Sequence, residues 1–395
     1  MQVREILSIA VLGTLLAACG SGTTSTAPAT MNVRLVDDPS PGYEEVNIDV
    51  QTVLIKGDGD WVTLGNPNVV VNLLALTGGV YETLVDGATL PAGHYGQMRL
   101  VLGPNNTVKP KGGTIQPLKV PSGQQSGVKL SVNFDVQAGT TADVFIDFDA
   151  HKSIFVHQAG ASNKYILRPT VRAFDKLVTG SISGTLSNAS GTLPQGVDVF
   201  AETVGTNGPT IVRSAVTDAA GHYFLDLLPM KDADGQDVVY HVVSQPVIRS
   251  ETGTATSSYR PLASTGIVLT QAAPTATWYA TFAPAEWTGS ATGSISTVAN
   301  ENQGDVVFSR TLVPVGDGST SASFIVRSTP VDVSDGTETY TVDALPVTQP
   351  STSYDFAAER TATDPLTEVS TTVLTTWSTV SVPAGGSVPV PAFSF

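Results

Sequence analysis

The chain has 395 residues, 41% hydrophobic and 14% charged, with 35 acidic against 20 basic side chains and a formal net charge of −15. Disordered chains combine high charge with few apolar residues, and nucleic-acid binders cluster Lys and Arg to neutralise phosphate; this composition excludes both classes. A single cysteine excludes a disulfide framework and a thiolate metal site, and the length allows two or three domains.

In chain order, Arg4 and Glu5 precede an apolar run from Ile6 to Leu16, which closes on Leu16-Ala17-Ala18-Cys19. The run is too short to span a bilayer, which takes about 20 apolar residues, and it has the form of a signal peptide over 1–18. The closing stretch resembles a bacterial lipobox. That resemblance implies cleavage before Cys19, lipidation of its thiol and anchoring of the protein to a membrane. Glu5 departs from the net-positive start usual in such segments. Gly20 to Thr30 has no apolar period and reads, with Cys19, as an anchor and flexible leash over 19–30, spanning about 17–20 Å on average. Gly20 stands where Asp would mark inner-membrane retention, so the resemblance implies an outer-membrane lipoprotein, facing either the periplasm or the surface.

A first unit over 31–177 alternates apolar and polar residues, as in Val46-Asn47-Ile48-Asp49-Val50 and Val144-Phe145-Ile146-Asp147-Phe148. This is the period of half-buried strands. Turn clusters at Asp58-Gly59-Asp60, Pro91-Ala92-Gly93 and Gly112-Gly113 separate them, and Val71 to Leu76 leaves room for one helical turn. Six blocks in order carry a family resemblance: the opening from Met31 to Val50, Asn72 to Leu76, Leu90 to Leu102, Val120 to Leu130, Val144 to Ile154 and Tyr165 to Phe174. Together they resemble the bacterial lipoprotein domain called domain of unknown function 4382. The resemblance implies a β-sandwich of immunoglobulin-like or transthyretin-like type and brings no catalytic residue.

A second unit over 178–285 opens on Gly180-Ser181-Ile182-Ser183-Gly184 and continues through Val197 to Phe200, Ala215 to Tyr223 and Leu227-Leu228-Pro229. Asp218 to Gly221 supplies a turn, Tyr223 and Leu225 alternate inward, and Pro229 ends the strand. The order is similar to the carboxypeptidase regulatory-like domain, a transthyretin-like sandwich grouped with carbohydrate-binding folds. The remainder, 286–395, reads as a diverged repeat: Gly289 to Gly293 echoes the opening, and Tyr340 to Pro346 echoes Tyr223 to Pro229. Asp335-Gly336 takes the place of the turn before Tyr340. Phe393 and Phe395 close an edge strand.

Catalytic motifs are missing from the sequence. There is no Gly-x-Ser-x-Gly elbow, no phosphate-cradling loop and no His-Glu-x-x-His or His-x-x-x-His pair among His94, His151, His157, His222 and His241. Asp147 and Asp149, near His151 and His157, form one suggestive group, yet alternation places the two acids together on a solvated face opposite Phe148. Asp37-Asp38 and Asp58-Gly59-Asp60 offer oxygens to calcium but read better as turn residues. Trp61, Trp278, Trp287 and Trp377 are candidates for stacking on sugars, and core packing accounts for each equally well.

The sequence therefore predicts an all-β chain of tandem antiparallel β-sandwiches, with one assigned chemical event, at Cys19. No catalytic, cofactor or metal site is expected. The expected role is a non-enzymatic binding or structural module of the envelope, partnered by the membrane through Cys19 and by a polysaccharide or an envelope protein, with no nucleic acid. Two alternatives stay open: a carbohydrate-binding surface lipoprotein, and a hydrolase whose paired carboxylates meet only in space.

Overall fold

Strand alternation accounts for the first layer directly. Along Ala29–Val36, the side chains of Ala29, Met31, Val33 and Leu35 are fully buried, because odd positions share one face. This strand pairs in parallel with Thr141–Phe148, Val33 opposite Val144 and Leu35 opposite Ile146, and antiparallel with Glu82–Leu90. The computed structural model describes residues 28–37, 43–76, 80–120, 127–148, 153–159, 162–167, 171–175, 179–193, 195–232, 234–250, 254–296, 303–331, 337–363 and 370–395. The strand starts earlier than the leash reading predicts. Ala29 is buried and Thr30 N–H donates to the Thr140 carbonyl at 2.9 Å, so both belong to the sheet.

The facing sheet is built on the long strand Tyr43–Lys56. It pairs antiparallel with Gly93–Leu102, Thr107–Pro110, Val69–Asn72 and Val62–Gly65. A register shift between Val50 and Thr52 lets Val46, Ile48 and Val50 point inward and then Val53 and Ile55 as well, the expected effect of one extra residue. The helical turn falls at Leu73–Ala75, a 3₁₀ turn whose start is capped by Asn72, the side chain accepting from Leu74 N–H at 3.2 Å. One continuous core joins the layers, from Ala29 to Leu167.

The second and third units repeat one arrangement. Thr179–Asn188 pairs antiparallel with His222–Pro229, and Trp287–Ser296 pairs antiparallel with Thr337–Val347. In the first pair Gly180, Ile182 and Gly184 oppose Leu228, Leu225 and Tyr223; in the other Gly289, Ala291 and Gly293 oppose Leu345, Val342 and Tyr340. Both have a register shift at the same place, and both hold a non-glycine residue in the left-handed region there, Leu227 and Ala344, each at φ 54°. The glycines are required by close approach: a Cβ on Gly184 would collide with the Trp278 carbonyl, and one on Gly293 with the Tyr340 hydroxyl. Each unit also closes with a tyrosine hydroxyl donating to a proline carbonyl at 2.7 Å, Tyr240 to Pro229 and Tyr354 to Pro346.

Each of these units has its own buried cluster, one over Ile182 to Phe282 and one over Ala291 to Phe393, the latter also taking in Val243 and Ala263. Among the described residues a ten-stranded sheet runs through both. The link is short: Ala263 pairs in parallel with Val315, and Gly316 N–H donates to the Ala263 carbonyl at 2.9 Å. The all-β class and the tandem sandwiches are as expected. Antiparallel pairing predominates, and the parallel pairs are an addition that alternation cannot reveal, since side chains alternate alike in both.

Candidate functional site

The chemistry of this molecule gathers where the units meet. Asp147 lies on the strand Thr141–Phe148 on the face opposite Ile146 and Phe148, where sequence places a solvated carboxylate. That expectation is corrected. Asp147 is 1% exposed because Arg213, 5% exposed on the strand Gly208–Val216, crosses from the second unit to form an ion pair with it. Beside the pair, Val36 and Phe145 of the first unit close on Leu227 of the second in a small apolar cluster. The apolar contact removes water from around the charges, which strengthens their attraction and raises the cost of parting them.

A second seam joins the second and third units. Glu202 is fully buried and accepts from Ile325 N–H at 3.0 Å. Burial pushes its carboxyl well above the usual carboxylate range, and the Ile325 hydrogen bond offsets this in part. Arg249 grips Asp343 through two hydrogen bonds, at 2.9 and 2.5 Å, and holds the Asp343 carboxyl below its ordinary value. Arg327 donates to the Gln245 carbonyl at 2.8 Å, and burial pulls its guanidinium down to about 10. An apolar contact completes the seam, with Ile211 and Trp377 packed on Val306, Phe308 and Ile325.

A groove of about 400 Å³ lies along this seam. Its walls carry the hydroxyls of Thr256, Ser257, Ser258 and Thr288 and the carboxylate of Glu286, which is paired with Arg260 at 2.8 Å. Tyr259 lines it as well, but the ring is buried and its hydroxyl accepts from the Asn188 amide at 2.8 Å. Thr256 and Ser258 donate to the Ile248 and Ala344 carbonyls at 3.1 and 2.8 Å, so the groove is polar, has no open aromatic face and meets a hydroxylated ligand chiefly with Ser257, Thr288 and Glu286.

The structure separates the other sequence candidates. Cys19, Asp38, Asp149 and His151 lie outside the described residues, as does the His157 side chain. Asp37 is buried, and its N–H donates to the Leu76 carbonyl at 3.3 Å. Asp58 and Asp60 are exposed at the hairpin tip between Tyr43–Lys56 and Val62–Gly65. His94 and His222 are surface partners of Asp135 and Asp218, whereas His241 bonds the Ser264 carbonyl at 3.0 Å. Among the described residues no group of three or more His, Cys, Asp or Glu side chains is placed to hold a metal ion. Trp61 lies under Arg99, Trp278 packs edge-on to Tyr223 and Phe282, and Trp377 lies under Arg310. Trp287 alone of the four is exposed, and Tyr279 is more so at 68%.

Asp49 is a site residue that sequence reasoning misses. It is 1% exposed, and its carboxylate accepts from the Asn105 N–H at 3.2 Å, the Asn105 amide at 2.9 Å and the Gln51 amide. Its own N–H donates to Asn106 at 2.9 Å. It thereby holds the loop after Leu102 on the first unit. The Gly-Pro-Asn-Asn turn signal was the available clue, since Asn side chains favour local bonds to such turns.

Residues 28–169 match the family model described as Domain of unknown function (DUF4382). The match covers most of the first unit, where the six sequence blocks resemble the same family, and ends before the strand Val171–Asp175. No curated protein matches the chain. Among solved structures it is similar to the Bacillus anthracis TIE protein at 9% identity and a TM-score of 0.18, over 93% of this chain and 51% of that one. It is similar to a streptococcal ancillary pilin at 10% identity and a TM-score of 0.19, over 92% and 98%, and to the shaft pilin SpaA from Lactobacillus rhamnosus GG at 14% and 0.19, over 55% and 98%. The chain spans about half the length of the TIE protein. Similarity at these scores carries no argument about function. No helix among the described residues is long and apolar enough to cross a membrane.

Proposed function

We propose that this chain is a lipid-anchored outer-membrane protein whose sandwiches form a stiff, non-enzymatic structural or binding module, tethered at Cys19 and set off from the bilayer by the short leash. In this reading 178–285 is a carboxypeptidase regulatory-like domain and 286–395 its diverged copy. What supports the stiff structural module is the closure of both junctions, by the buried Asp147–Arg213 pair and by the sheet that continues through Ala263 and Val315; the anchor is supported by the lipobox resemblance at Cys19. Domains in one chain move against each other unless their interface is extensive and well packed, so a closed seam suits a part that holds position. Fractionation of cells expressing Cys19→Ser tests the anchor: the variant is expected in the soluble fraction, and retention in the membrane overturns the assignment.

The groove at the second seam favours one further reading, a carbohydrate-binding surface protein, because its hydroxyls and carboxylate match the bonding groups of sugars. Screening the full chain against envelope polysaccharides checks this, and no retention sinks it. The hydrolase reading gains nothing there. Paired acids would stand roughly 5 to 9.5 Å apart, and among the described residues Glu286 is the one carboxylate in the groove lining.

A further inference from the structure

The tetrapeptide Ile-Val-Arg-Ser occurs twice, at 211–214 and at 325–328. Both copies sit in the second strand of a hairpin, and both contain a bulge at the same step. Ala201 opposes Arg213 and Glu202 opposes Ile211, leaving Val212 as the extra residue; Ser309 opposes Arg327 and Arg310 opposes Ile325, leaving Val326. A bulge re-aims the side chains around it. Here it turns each arginine to a position 5% and 7% exposed, against the unit that comes before it in the chain: Arg213 meets Asp147, and Arg327 Nη1 meets the Gln245 carbonyl.

The neighbouring strand carries an independent mark. His222–Pro229 adjoins Gly208–Val216, as Thr337–Val347 adjoins Thr320–Val331, and each contains the left-handed residue, Leu227 or Ala344. That backbone conformation is unfavourable outside glycine and persists where surroundings fix it. Both residues touch the preceding unit. Leu227 packs on Val36 and Phe145, the Ala344 carbonyl accepts from Ser258 at 2.8 Å, and the adjacent Asp343 is held by Arg249.

We infer that the second and third sandwiches carry one shared docking face, a buried arginine beside a bulge and a left-handed residue on the next strand, with which each seats the sandwich before it. The partner that fits this face is the strand-end face of a β-sandwich of the same chain offering an acceptor for the arginine, a carboxylate at the first junction, near the ends of Ala29–Val36 and Thr141–Phe148, and a carbonyl at the second, just after Val239–Ser244. The contact is head-to-tail rather than isologous, so one face repeated in sequence gives a directed array. The copies differ in acceptor strength: Arg327 has no partner for Nε and Nη2 among the described residues, and its seam relies more on the Arg249–Asp343 pair and the shared sheet.

Spin-label distance measurements on the full chain test it. In a Cys19→Ser background, cysteines at Thr114 and Ser190 report the first junction, and at Ser190 and Thr320 the second. Arg213→Ala with Leu227→Asp is expected to broaden the first distance distribution and spare the second; Arg327→Ala with Ala344→Trp is expected to do the reverse. Leu227→Gly guards against misfolding, because glycine suits the backbone angle and removes only the contact; it too is expected to broaden the first distribution. A narrow first distribution in Leu227→Gly and Arg213→Ala, or a narrow second one in Arg327→Ala with Ala344→Trp, overturns the shared face.

Discussion

Asp147 and Arg213 come from different sandwiches, 66 positions apart, and are buried together as an ion pair. Removing Asp147 takes the facing carboxylate from a guanidinium in a dry site, where breaking a buried pair costs up to about 3–5 kcal/mol. Asp147→Ala is therefore expected to lower the unfolding free energy of the first urea transition by up to that order, read as a fall in its midpoint at unchanged m-value. Asp147→Leu with Arg213→Leu replaces both charges by apolar groups beside Val36, Phe145 and Leu227 and is expected to recover most of the loss. Equal damage in the single and double variants would show that packing, not charge, closes the junction.

Glu202 makes the second seam sensitive to pH. Its folded-state carboxyl titrates above its unfolded value, so the neutral form is the one the fold favours. The sign follows from linkage: its contribution to stability is fully present below the unfolded value and is lost as pH rises through the folded one. Denaturant melts taken from pH 4 upward are expected to show declining stability. Glu202→Gln keeps an oxygen for Ile325 N–H and carries no charge, so the decline should flatten. An unchanged slope would place the pH response elsewhere.

How much of this was legible in the sequence varies with the range of the interaction. Alternation at Val46, Ile48 and Val50 and at Val144, Ile146 and Phe148 gives the core face, because one sheet partner on one side decides it. The same rule misplaces Asp147, since what covers its face is a strand from another unit and no local period encodes that. The tyrosine and glycine echoes of the two later units were readable at Tyr223 and Tyr340, whereas Ile-Val-Arg-Ser was a stronger repeat that only the bulge register explains. Cys19 rests on local sequence alone.

Tyr240 and Tyr354 hold matching positions and make matching bonds to Pro229 and Pro346. Each is almost fully buried, so losing the hydroxyl removes a buried hydrogen bond to a proline carbonyl. Tyr240→Phe and Tyr354→Phe are each expected to cost about 1–3 kcal/mol in thermal or chemical melts, by similar amounts. A large cost at one and none at the other would mean the copies have diverged in what closes them.

The loop held by Asp49 should fail locally before the sandwich does. Asp49→Ala removes the acceptor for two Asn105 donors and the Gln51 amide, yet leaves Ile48 and Val50 in the core. Opening of such a loop exposes backbone groups without unfolding the sheets, which are separate cooperative elements. Hydrogen exchange in Asp49→Ala is thus expected to speed up across Gly103 to Asn106 while amides of Tyr43–Lys56 keep their protection. Asp49→Asn retains an oxygen and should fall between. Uniform loss of protection along Tyr43–Lys56 would instead make Asp49 a determinant of the whole first sandwich.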